Sequence, residues 1–145
     1  MNYVFDFGAV LVNWQPVNML AECFPQQADS PAHAGHLAHE VFAHADWHDY
    51  DRGVLTIDEV ITRTSERLGL DGPRFDALVR SIGQRLLPMP QSIDWLASLK
   101  ARRDAGEDVR LYFLSNMPVD YARELERSYD FVGWFDGGIF SGDVG

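Results

Sequence analysis

The chain has 145 residues, 46% hydrophobic, 12% aromatic and 23% charged, which is apolar enough to build a core and argues against wholesale disorder. Its 22 acidic and 12 basic residues leave a net charge of −10, which repels a phosphate backbone and argues against nucleic-acid binding through bulk charge. No apolar run approaches the ~20 residues needed to cross a bilayer, and no signal-peptide pattern opens the chain, so the expectation is a soluble, cytoplasmic protein with no membrane partner. Cys23 is the only cysteine. It can form no intrachain disulfide, which suits a reducing compartment, and its expected role is that of a small apolar core residue.

In chain order, Tyr3-Val4-Phe5-Asp6-Phe7-Gly8-Ala9-Val10-Leu11 is an apolar run, one carboxylate, a glycine turn and a second apolar run. Such a run suits a strand buried in a parallel sheet, with Asp6 at its end. Two readings are open there: a carboxylate facing the ligand crevice beyond the strand ends, or a residue that caps the next turn. Val12 to Pro16 is a polar break. Helices are then expected at 17–27, at 30–46 behind Ser30 and Pro31, after Thr56 with Glu59 as a capping box and ending at Gly69, and at 74–86 with Gly83 as a weak point. His33, His36, His39 and His44 drift round the second helix without a fourth ligand, so the expectation is a solvated or partly packed face. Trp47 to Leu55 reads as a loop between helices. Pro88-Met89-Pro90 breaks the chain, and a further amphipathic helix is expected at 91–105.

Val109 to Ser115 repeats the opening design: a mostly apolar strand with Ser115 and Asn116 at its end, then Pro118 opening a helix at 118–128. Gly138 to Ser141 is expected to be a third short strand. If the first two strands lie side by side and parallel, Asp6, Ser115 and nearby backbone amides converge on one point suited to a phosphoryl group.

At these two motifs the chain resembles the haloacid dehalogenase-like (HAD) hydrolase superfamily. Phe5-Asp6-Phe7-Gly8-Ala9-Val10-Leu11 is similar to its first motif and Leu114-Ser115-Asn116 to its second. The nearest flavour is the α-glucose-1-phosphate phosphatase-like group, where an Asp-x-Gly first motif is familiar. The resemblance implies an α/β fold, a parallel Rossmann-like three-layer core over 1–14 and 89–145, incomplete within this chain, with an all-helical cap over 15–88. It implies a phosphatase of a small phosphorylated metabolite, in which Asp6 attacks phosphorus and Ser115 is the second catalytic residue. Phe7, Gly8, Ser115 and Asn116 would hold the phosphate, and Mg²⁺ would sit on Asp6 and the Gly8 carbonyl.

Two departures go with the resemblance. Position 8 is glycine where the family's phosphatases usually carry a second, proton-donating aspartate, which keeps a 2-haloacid dehalogenase-type reaction open. A lysine and a pair of acidic metal ligands are expected beyond Gly145. Their place outside these residues suggests the front part of a longer enzyme, weak Mg²⁺ binding, and an unpaired strand edge able to self-associate. A catalytically dead remnant that binds partners through its acidic helical cap is the reading from outside enzymes.

Overall fold

In the computed structural model, which describes every residue from Met1 to Gly145, the strands β1 (Asn2–Phe5), β2 (Arg110–Ser115) and β3 (Gly137–Phe140) form one parallel sheet in that order. Phe5 lies opposite Phe113, and Ser115 opposite Phe140. Alternation along the strands sorts the two faces. Phe5, Leu111 and Phe140 are at most 5% exposed, whereas Val4, Leu114 and Ile139 are 66%, 60% and 47% exposed. The buried face meets helix α6 (Pro90–Asp104), whose Trp95 contacts the Tyr3 and Phe5 rings edge-on. The other face carries no helix, so two of the three expected layers are present.

Five helices lie between β1 and α6, one more than the sequence suggests: α1 (Pro16–Cys23), α2 (Pro31–Phe42), α3 (Ala45–Asp51), α4 (Ile57–Leu68) and α5 (Gly72–Arg85). The extra one is α3, in the stretch read as a loop. His44 caps it, its Nδ1 accepting the Asp46 N–H at 3.0 Å, and Trp47 and Tyr50 anchor it in the core. The local signals of α2 and α4 hold. Ser30 Oγ accepts the His33 N–H at 3.1 Å, and Thr56 and Glu59 exchange side-chain-to-backbone bonds at 3.2 Å each. Gly69 closes α4 with φ +64°. The histidines of α2 form no metal cluster; His33 pairs with Asp29 on the exposed surface. Cys23 is half-buried against the core.

The sixth and seventh helices flank β2 in sequence, α7 spanning Val119–Ser128 and leading through a 3₁₀ turn at Asp130–Trp134 to β3. One continuous apolar cluster joins the five inserted helices to the sheet region. Helix α5 packs on α7, where the Tyr121 hydroxyl donates to the Val79 carbonyl at 2.8 Å. Gly83 lies in this contact: a β-carbon there would come within 2.0 Å of the Glu124 carboxylate. The two chain connections to the helical insert run side by side. Asn13 N–H donates to Leu87 O, and Met89 N–H to Leu11 O, both at 2.8 Å. No helix is long and apolar enough to cross a membrane.

Candidate active site

Beyond the C-terminal ends of β1 and β2 the backbone turns sharply. Phe7 C=O accepts three amides, from Val10 (3.1 Å), Leu11 (2.8 Å) and Val12 (3.0 Å), winding residues 7–12 into a tight knot. Ala9 has φ +62°, the one non-glycine residue with positive φ. Fully buried Phe7 pins the knot down, its ring 5.1 Å from both Phe113 and Phe140.

Asp6 follows β1 directly and is exposed. One step beyond the Phe5–Phe113 pair, it lies level with Leu114, adjacent to Ser115 at the end of the neighbouring strand. Asp6 Oδ1 accepts the Phe7 N–H at 2.7 Å. Of the two amides expected to cradle a phosphate, Phe7's is therefore turned to Asp6 itself, whereas Gly8's N–H and C=O have no backbone partner. Ser115 is 4% exposed and its hydroxyl joins no hydrogen bond within the chain. The structure thus places the two motifs at adjacent strand ends.

A cavity of about 260 Å³ opens beside this point. Gly8 and Asn116, the motif neighbours of Asp6 and Ser115, line its floor; Asp6 and Ser115 themselves are not part of its wall. The inserted helices supply the roof together with Trp14, from the connection that leads into them. Trp14, Phe42 and Trp47 form a series of edge-on contacts, with centroids 5.1 Å apart for Trp14–Phe42 and 4.7 Å for Phe42–Trp47. Tyr50 continues the series from Trp47 to Tyr121, itself a lining residue. Ile82, Leu86, Met117 and Pro118 add apolar wall, and His48 and Asp51 reach in from α3.

Asp51 is the unusual member. Its carboxylate accepts no hydrogen bond and joins no ion pair, and burial pushes its pKa up to about 7. Its backbone is held firmly: Ser141 Oγ donates to Asp51 C=O at 2.7 Å while accepting the Met117 N–H at 2.9 Å. One hydroxyl thus ties α3 to the loop after Ser115. Beside it Gly53 and Gly142 pack so closely that a β-carbon on Gly53 would lie 2.7 Å from Gly142 O. Burial also raises the Tyr50 and Tyr121 phenols, and Tyr50 OH donates to Asp120 Oδ2 at 2.9 Å.

A hard divalent cation at this site would rely on few protein donors. No three His, Cys, Asp or Glu side chains gather at one point. Asp6 and the unclaimed Gly8 carbonyl are both hard oxygen donors, and Mg²⁺ commonly uses one or two carboxylates together with water and substrate phosphate. The two donors fit a Mg²⁺ ion completed in that way. Asp143, beyond β3, is not spare for this purpose, since it pairs with Arg123.

The architecture is that of the haloacid dehalogenase-like superfamily, the class that the strand-end motifs resemble. The chain is similar to a HAD family enzyme of Bacteroides thetaiotaomicron in its complex with magnesium and inorganic phosphate: TM-score 0.63 at 17% identity, covering 98% of this chain and 69% of that one. The magnesium complex of the same enzyme gives a TM-score of 0.63 at 19% identity, covering 98% and 68%. Among curated proteins it is similar to a sesquiterpene phosphatase of Aspergillus oryzae, 25% identical over 134 residues. That match takes in 92% of this chain, which spans 60% of the relative's length. No family model matches the chain. The fold expected from the superfamily resemblance is borne out; the narrower α-glucose-1-phosphate phosphatase-like group finds no support among these relatives.

Sequence reasoning missed most of the cavity. Trp47 to Leu55 reads as a loop in the sequence, and Asp51 as an unpaired carboxylate depends on its neighbours in space. Neither Ser141 as a tie between α3 and the Met117 loop nor Trp14 as a wall has a local signal.

Proposed function

We propose that this chain is a HAD-type phosphatase acting on a small phosphate monoester, with residues 15–88 as a helical cap over a core formed by 1–14 and 89–145. The observation that carries the proposal is the shared cavity: the motif neighbours Gly8 and Asn116 form its floor under an aromatic roof from the inserted helices. At about 260 Å³ it lies below the usual range for drug-sized ligands, in keeping with a small metabolite.

In the proposed reaction an Asp6 carboxylate oxygen attacks phosphorus, and the bond from phosphorus to the alcohol oxygen breaks. With Gly8 in place of a proton-donating aspartate, the departing oxygen leaves as the alkoxide and takes its proton from solvent water as the alcohol is released. Water then attacks the phosphorus of the aspartyl-phosphate, releasing inorganic phosphate and restoring the carboxylate. The Ser115 hydroxyl, Asn116 and the Phe7 and Gly8 amides hold the non-bridging oxygens where charge builds up, with Phe7's N–H leaving Asp6 Oδ1 to do so. Mg²⁺ on Asp6 and the Gly8 carbonyl would offset the mutual repulsion of carboxylate and phosphate. The cap excludes water during the first step.

Parallel assays of phosphate release from phosphate monoesters and halide release from 2-haloacids, with and without Mg²⁺, test the reading. Mg²⁺-dependent phosphate release is expected. Halide release alone would move the assignment to a dehalogenase, and neither product would favour a binding role. Beside the exposed Val4 side chain, β1 lies at the sheet edge, an arrangement that supports self-association, which light scattering would detect.

A further inference from the structure

The walls of the cavity narrow the substrate class, given the phosphatase reading on which this inference rests. Four lining residues are aromatic: Trp14, Phe42, Trp47 and Tyr121. The only carboxylate among the lining residues is Asp51, and no lysine or arginine is among them. His48 is the one lining side chain able to carry positive charge, and it sits on α3 with Asp51; a second anionic group on a substrate, whether carboxylate or further phosphate, would meet no lysine or arginine and would face Asp51.

From this arrangement we propose that the alcohol part of the ester carries an ammonium group, seated between the Asp51 carboxylate and the aromatic wall. Three independent features fit that occupant. Aromatic faces attract a desolvated cation, with tryptophan the strongest. The Asp51 carboxylate lacks any hydrogen-bonding or ionic partner within the chain, and a buried charge without a partner is costly. Finally, the Ser141 hydroxyl ties the Asp51 carbonyl to the Met117 amide, which fixes the Asp51 backbone against the loop that carries Asn116 and Met117, two residues lining the same cavity. Burial holds Asp51 near pKa 7, and a cation beside it would offset that desolvation.

The test is calorimetric titration of the full chain with Mg²⁺ present, using inorganic phosphate, O-phosphoethanolamine, ethyl phosphate and 2-phosphoglycolate. The three esters are similar in size and differ in the charge at the far end. O-Phosphoethanolamine is expected to bind at least ~10-fold more tightly than ethyl phosphate, the usual worth of one hydrogen-bonded charge partner, and 2-phosphoglycolate most weakly. In Asp51→Asn the ratio between the first two should collapse towards one. Ethyl phosphate binding as well as O-phosphoethanolamine, or 2-phosphoglycolate matching either, overturns the proposal even if Asp51→Asn does not fold. Absence of binding by all four, inorganic phosphate included, would instead overturn the phosphatase reading and this inference with it.

Discussion

Asp51→Asn should make the protein more stable above neutral pH and leave it unchanged in acid. The carboxyl's pKa rises from 3.8 to about 7 because burial penalises its charged form. The folded chain therefore holds this proton to higher pH than the unfolded chain. Sign follows directly: the carboxyl costs nothing below about pH 4, costs progressively more between pH 4 and 7, and levels off above. The shift is roughly three pKa units at 1.36 kcal/mol each, so the ceiling is about 4 kcal/mol. Asp51 is not fully enclosed, and solvent access reduces the expected gain to about 1–3 kcal/mol. For a chain of this size that corresponds to a rise in Tm of roughly 2–12 °C. Asparagine keeps the shape and removes the charge, so urea denaturation of both proteins at pH 4.5 and pH 8 isolates the effect, other titrating groups cancelling in the difference. A gain at pH 8 that shrinks towards zero at pH 4.5 is expected. A gain equal at both values, or a loss at pH 8, would refute a desolvated, unpartnered carboxyl at this position.

Two further outcomes concern the knot after β1. Ala9 sits at φ +62°, a conformation costing about 1–2 kcal/mol for an L side chain, against roughly 0.5–1 kcal/mol for glycine's greater chain entropy. Ala9→Gly should therefore be neutral to stabilising by up to about 1 kcal/mol in urea denaturation, and a clear loss would count against this backbone conformation. Phe7→Ala should cost about 3–5 kcal/mol, because the fully buried ring meets Phe113, Phe131, Phe135 and Phe140. A loss under about 1 kcal/mol would mean that the knot is not anchored in the core.

How much of this was legible in the sequence depended on whether the signal was local. Strand ends at Asp6 and Ser115, the capping box at Thr56 and the stop at Gly69 are written in neighbouring residues, and each lies where the sequence reading puts it. Helix α3 was not legible. Its sequence, Ala45-Asp46-Trp47-His48-Asp49-Tyr50-Asp51, is polar and turn-like, and the helix depends on Trp47 and Tyr50 packing among Phe42 and Tyr121. At Gly83 the sequence shows a helix weakness, whereas the nearness of Glu124 on another helix has no local signal. The candidate site divides in the same way. Gly8 and Asn116 follow from the motifs, whereas Asp51 and the aromatic roof depend on how five helices settle over them.

The central claim, that Asp6 bonds transiently to phosphorus, is tested most directly by intact-protein mass spectrometry after acid quench of a reaction with Mg²⁺ and a phosphate monoester turned over in the release assay. The account predicts a fraction of the wild-type chain heavier by one phosphoryl group, absent from Asp6→Asn, whose phosphate release falls by at least ~10³-fold if the nucleophile has been removed. Asp6→Asn releasing phosphate at the wild-type rate, or carrying the same adduct, would contradict it.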